Sequence, residues 1–359
     1  ADWIRFHIRR ERQWFSIVRH MMEKEPSDLT AILFDGTDKL QHLCWRFLDP
    51  ESFPAAPTEW ERSIQELCLD YFRQLDRFLA EIARMAGPEA RLFMASDHGF
   101  GPTVRVFRVN AWLRQQGFLA WRTFDPSDAE ARARVEQRLK SDVAFVDLNT
   151  TTAYARTSAS NGIAIRVARE GRPGVPPAEY AAFRERLTRL LLDVRDPDTG
   201  EKVVVRALPR EEAFPGPLSG RAPDLTLSLA DGGFVSIGDK EPVVQRRPEV
   251  AGTHRPEGIF IAGGPGIARG AALAPRAIVD VASTLLYSLG VPIPEDLEGR
   301  LPLEAFEPAL LRETPPRMGP PTEPVRSPDA QAGQSATPGY DAAEEALIAD
   351  RLKVLGYLE

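Results

Sequence analysis

The chain has 359 residues, long enough at roughly 100–200 residues per domain for one large domain or two ordinary ones. Its 43% hydrophobic and 27% charged content marks a globular protein and excludes a disordered one. A net charge of −7 argues against a nucleic-acid-binding surface, and two isolated cysteines, Cys44 and Cys68, exclude a thiolate zinc site or a disulfide framework.

From Trp3 to about Glu23 the apolar positions Ile4, Ile8, Phe15, Val18 and Met22 recur at helical spacing, which predicts an amphipathic helix. Pro26-Ser27-Asp28 breaks it. Leu29 to Phe34 is a short apolar run of strand length, ending in Asp35-Gly36-Thr37-Asp38. A second helix is predicted from about Thr58 to Met85, where Ile64, Cys68, Tyr71, Leu75, Phe78 and Ile82 form one stripe, stopped by Gly87-Pro88. Ala90 to Ala95 is the next strand candidate, ending in Ser96-Asp97-His98-Gly99. Strand, long helix and strand make a βαβ unit, so a mostly parallel sheet flanked by helices is expected, an α/β fold.

Residues 102–220 are less regular and are expected to form a small cap or insertion. Strand character appears around Ala153 to Val167 and helical character from Ala178 to Val194, with a turn at Asp196-Pro-Asp-Thr-Gly200. Strands are predicted at Asp224–Leu229 and Gly258–Ala262, and a helix from Ala277 to Leu289, ended by Gly290. The α/β domain is expected to span 1–311. A Pro-rich linker is expected over 312–338 and a short last helix over 339–359, opened by Asp341 and Glu344 as a capping box. No apolar run approaches the ~20 residues of a membrane helix.

Of the five histidines, three sit in distinctive surroundings. Asp38 and His42 form D-x-x-x-H; on a helix, positions i and i+4 share a face and can reach one ion. Asp97-His98 follows a strand, where joint ligation needs a loop that Gly99 favours. His254 lies in a turn-like Gly252-Thr-His-Arg-Pro256 segment. Both acidic motifs fall at the carboxyl ends of predicted strands, where open α/β sheets bind ligands. Carboxylate with imidazole suits zinc or manganese, and two such ions would clamp the attacking and leaving oxygens of a phosphoryl centre. Taken singly, each motif also reads as an ordinary helix cap, turn or surface histidine. His7 and His20 read as surface or packing residues. Lys39, Arg105 and Arg108 lie near the motifs, but charges on a solvated face are the simpler reading.

The ordered set Asp38-Lys-Leu-Gln-His42, Ser96-Asp97-His98-Gly99 and Gly252-Thr-His254 with Gly258-Ile-Phe-Ile resembles the alkaline phosphatase superfamily, most closely its type I phosphodiesterase/nucleotide pyrophosphatase branch. Ala222-Pro-Asp224-Leu, Gly263-Gly-Pro-Gly-Ile267 and Asp280–Gly290 support the resemblance, which runs from about 29 to 305. The closing Leu352–Tyr357 is similar to the tail of many bacterial members.

The resemblance implies two divalent metal ions, zinc or manganese, with Asp38, His42 and His254 on one and Asp97 and His98 on the other. It implies a hydrolase of small phosphate esters, most simply diesters or pyrophosphates, acting through a Thr or Ser phospho-enzyme intermediate. The family's first-strand aspartate and its nucleophile are not found in the chain. Asp35-Gly36 would require one strand to serve as two, and Thr37 is a weak substitute. The nucleophile is therefore expected upstream of Ala1, where any targeting signal would also lie; with few cysteines, a cytoplasmic location is expected. Alternatives are a pseudoenzyme or metal-stabilised binding module and, within the superfamily, a sulfatase, phosphonate hydrolase or phosphoglycerate mutase. A sulfatase would need a formylglycine motif, and none is evident. Oligomeric state is not readable.

Overall fold

The computed structural model describes residues 1–122, 146–158 and 160–322. The helix expected over 339–359, and the Pro-rich stretch from 323 on, lie outside the described residues. In chain order the helices are α1 (Asp2–Lys24), α2 (Gly36–Leu48), α3 (Glu59–Ala86), α4 (Val109–Gln115), α5 (Tyr180–Leu192), α6 (Arg210–Ala213), α7 (Asp280–Ser288) and α8 (Pro308–Glu313). The strands are β1 (Leu92–Ala95), β2 (Gly99–Phe107), β3 (Ala153–Ala155), β4 (Gly162–Ile165), β5 (Val204–Pro209), β6 (Leu225–Leu229), β7 (Val244–Arg255), β8 (Phe260–Gly263), β9 (Ile293–Pro294) and β10 (Met318–Gly319). The fold is mixed α/β. No described helix is long and apolar enough to cross a membrane.

The chain divides into two compact units. The first comprises Ala1–Leu40, Phe53–Phe100 and the described residues from Arg255 on; the second comprises Gln41–Ser52 and Gly101–His254. In the first, α1 and α3 pack along their apolar stripes. Phe15 stacks on Phe78 with ring centroids 4.1 Å apart, and Ile4, Val18, Ile64 and Tyr71 are buried. Thr58 opens α3 with a reciprocal cap: its hydroxyl accepts from Glu61 N, and the Glu61 carboxylate accepts from Thr58 N. A smaller core gathers around Tyr287, Phe306, Ile267 and Ile293, under α7.

The segment 29–34 does not form the expected strand. A strand exists only where a neighbour takes its backbone groups. Here side chains take two of its carbonyls: the Trp14 indole donates to Leu33 O (2.9 Å) and the Ser27 hydroxyl to Leu29 O (3.0 Å). Its supposed βαβ partner, β1, pairs instead with β8, antiparallel, from Leu92↔Gly263 to Ala95↔Phe260. The described sheets are small and their registers mainly antiparallel, apart from the two-residue parallel pairing of β9 with β10. The mostly parallel sheet anticipated from the βαβ pattern is not found among the described pairings.

The second unit holds a four-stranded antiparallel sheet in the order β3-β4-β6-β5. The strand-like stretch at 153–167 is a hairpin, with Ala153 opposite Ile165. β6 alternates Leu225, Leu227 and Leu229 inward with Thr226 and Ser228 between them, the period-two pattern of a sheet with one buried face. Helix α5 covers that core with Leu187 and Leu191, both fully buried and each worth about 2 kcal/mol of apolar transfer. Strands β2 and β7 pair with each other.

Candidate metal centre

The D-x-x-x-H motif lies on helix α2, the setting in which its two residues can share a face. Asp38 falls in the first turn and His42 one turn later, so helix geometry turns both side chains toward one face. The helix start is held from α1: Gly36 N donates to Glu11 Oε1 (3.1 Å). Glu11 is buried, and burial raises its carboxyl above the usual range against the opposing pull of Arg10. Asp35, just before the helix, is ion-paired with both Arg10 and Lys39.

In the first unit, Ser96, Asp97 and His98 form the bend between β1 and β2. The bend is tied to the residue preceding β8: Ile259 N donates to Ser96 Oγ (2.8 Å) and Ser96 N to Ile259 O (3.0 Å). His98 Nδ1 donates to Gly99 O (3.1 Å). Its Nε2 lies 3.7 Å from Asp38 Oδ1 and 3.6 Å from Asp97 Oδ2. The structure thus brings His98 to both predicted aspartates. Ser96 and Asp97 border a cavity of about 720 Å³ whose polar lining includes Glu257, Arg276, Asp280 and Thr284.

In the second unit, His42 meets His254. Their Nε2 atoms are 3.0 Å apart, and His42 Nδ1 donates to Gly252 O (3.1 Å). His254 sits on strand β7, not in the turn its glycine and proline neighbours suggest, because pairing with β2 extends the strand through Arg255. Gly252 is required where it stands: a Cβ there would lie 2.0 Å from Gln41 O. The Phe234 ring meets His254 edge-on, with centroids 5.2 Å apart.

The donor set fits a divalent cation. His42 and His98 each commit Nδ1–H to a backbone carbonyl, which leaves the lone pair on Nε2, the arrangement that metal-ligating histidines adopt. Two nitrogens each ~2.0–2.1 Å from one tetrahedral ion stand about 3.4 Å apart, close to the separation of the His42 and His254 Nε2 atoms. Carboxylate and imidazole together are the ligand set of zinc and manganese.

The family described as type I phosphodiesterase/nucleotide pyrophosphatase matches residues 3–257, well over half the chain. The chain belongs to that family. It is the branch of the alkaline phosphatase superfamily that the ordered motifs resemble. No curated protein matches the sequence. Among solved structures, a phosphonoacetate hydrolase from Sinorhizobium meliloti 1021, in complex with phosphonoformate, is similar at 16% identity and a TM-score of 0.36. That likeness covers 62% of this chain and 46% of the hydrolase, so the chain spans less than half of that protein's length.

Three cations named from the sequence have structural duties instead of a solvated face. Arg105 is ion-paired with Asp196 and Glu201. Arg108 is buried and donates to Pro242 O (2.8 Å) and Gln245 Oε1 (2.9 Å). Lys39 is taken up by Asp35. His7 is buried under the Trp3 ring, and burial lowers its pKa to about 4, whereas His20 is exposed. Two residues beside the site were not singled out from sequence, Glu11 and Phe234. Their contacts span 25 and 20 residues, and no local pattern marks them.

Proposed function

We propose that the protein is a metal-dependent hydrolase of small phosphate esters, with phosphodiester or pyrophosphate bonds as substrates. The observation that carries this reading is the orientation of His42 and His98, each with Nδ1 bonded to a backbone carbonyl and Nε2 turned to another candidate ligand. Family membership supplies the chemistry to which such a site belongs. Asp38, His42, Asp97, His98 and His254 are the proposed ligands of two divalent ions, zinc or manganese, with Asp38 and His98 near each other in the first unit and His42 and His254 in the second. When bound, such ions supply positive charge against the charge that develops on the phosphoryl oxygens.

The chain's own residues prepare the site. Gly252 O and Gly99 O fix the imidazole tautomers. Glu11 anchors the start of the helix that carries Asp38 and His42. The Ser96 hydrogen bonds hold the Asp97-His98 bend open beside the 720 Å³ cavity, whose size suits a small ester. We read the second unit's region 102–220 as the cap that selects the leaving group.

The test is metal analysis with activity in the natural full-length protein. Zinc and manganese equivalents are measured for wild type, His42→Ala and His254→Ala, alongside hydrolysis of nitrophenyl diester, monoester and sulfate. Loss of about one equivalent and of most diester turnover in both variants is expected. Full metal content and rate in both variants would end the ligand assignment. Metal binding without hydrolysis of any ester would leave a metal-stabilised binding module.

A further inference from the structure

The second unit carries a backbone irregularity that leads to His254. Among the described residues, Asn161 is the non-glycine at positive φ, 49°. Asparagine tolerates this region better than most residues because its short amide bonds nearby backbone. Here the amide reaches far along the chain instead. Asn161 Nδ2 donates to Gly233 O (2.7 Å), and its Oδ1 accepts from Val235 N (2.8 Å). Its own carbonyl accepts from Leu227 N (3.0 Å), fixing it to β6.

The two amide bonds straddle Phe234. That ring meets the His254 imidazole at 76°, the edge-to-face geometry that aromatic quadrupoles favour. Gly233, at φ 77°, lets the loop lie against the neighbour of His254: a Cβ there would be 2.5 Å from Thr253 Oγ1. The loop's other end is pinned as well. Asp231 accepts from Thr103 Oγ1 and from the backbone N–H of Val104 and Arg105, at 3.1, 2.9 and 3.0 Å. A loop fixed on both sides of Phe234 fixes the face that Phe234 offers to the imidazole.

We propose that Asn161 is a positioning residue for the metal ligand His254, acting through Phe234. The proposal rests on the reading of His254 as a ligand. Groups that orient a ligating histidine from outside typically govern 10- to 100-fold in metal affinity.

The test uses the full-length protein and three variants. Asn161→Gly keeps the backbone conformation but removes both amide bonds. Phe234→Leu removes the ring, and His254→Ala is the reference. Zinc affinity is measured by competition titration. In metal-free protein, the carbon-bound imidazole protons of His254, which feel the Phe234 ring current, are followed by NMR. Asn161→Gly and Phe234→Leu are each expected to weaken zinc binding about 10-fold and to move the His254 signals. Asn161→Gly with wild-type affinity, or with weakened affinity but unmoved His254 signals, overturns the proposal; the second result marks general loosening. Failure of the ligand reading has a different signature, wild-type zinc affinity in His254→Ala, and it overturns the positioning role too.

Discussion

Replacing Asn110 should destabilise the second unit by an amount that its contacts allow one to work out. Asn110, on α4, is fully buried. Its Nδ2 donates to Ala155 O (3.0 Å) and Ile237 O (3.3 Å), and its Oδ1 accepts from Ala155 N (2.8 Å). Asn110→Ala removes three hydrogen bonds at about 1 kcal/mol each, or roughly 3 kcal/mol, and strands buried backbone groups. Asn110→Asp should cost more, although it is smaller in shape change. It keeps the acceptor for Ala155 N but turns an acceptor toward two carbonyls and buries a carboxyl. Urea unfolding, followed by the fluorescence of tryptophans that include buried Trp112, measures the cost. Exchange of the Ala155 amide hydrogen localises it. A loss below about 1 kcal/mol in Asn110→Ala, or Asn110→Asp as stable as wild type, would refute the reasoning.

Asp224→Ala should cost about 3 kcal/mol in the same urea assay, because the buried carboxylate accepts from Ile165 N, Tyr180 Oη and Arg210, three hydrogen bonds at about 1 kcal/mol each. His7 is held neutral by burial, with a pKa of about 4 against 6.5 unfolded. The unfolded chain therefore binds more protons between these values, and stability should fall as pH drops from about 6.5 to 4. NMR titration of His7 with a midpoint near 6.5 would sink that prediction. Gly252→Ala should drive a Cβ into Gln41 O, pull Gly252 O from His42, and weaken zinc binding by at least 10-fold in a titration. Chelator treatment of the metal-loaded protein should lower its melting temperature, by the equivalent of about 2.7 kcal/mol at a hundredfold excess of metal over Kd.

What could be read from the residues was what is local. The stripes of α1 and α3 follow a 3.6-residue period, whereas α2 entered the reading only as the condition under which Asp38 and His42 share a face. The run at 29–34 has the composition of a strand, yet a strand depends on a distant partner, and Trp14 and Ser27 hold its carbonyls instead. His254 was marked as chemistry while its setting was misjudged, since β7 continues through a glycine that only its packing on Gln41 explains. Asp224 stood in a recognisable stretch, but its role in joining α5, α6 and β4 depends on partners up to 59 residues away. Phe234 carried no signal, because an aromatic in a glycine-flanked loop looks the same whether or not it meets an imidazole.

Glu11 on α1 grips the first amide of α2, while Gln74 on α3 donates to Ile8 O and accepts from Arg12. This arrangement constrains the sequence of events during folding. The Glu11–Gly36 bond closes a loop of 25 residues, whereas α1 and α3 run side by side in parallel and meet across more than sixty residues of chain, so the nearer contact carries the smaller closure cost. The first turn of α2, and with it Asp38, is thereby tied to α1 by a short loop and not by the longer-range helix pairing.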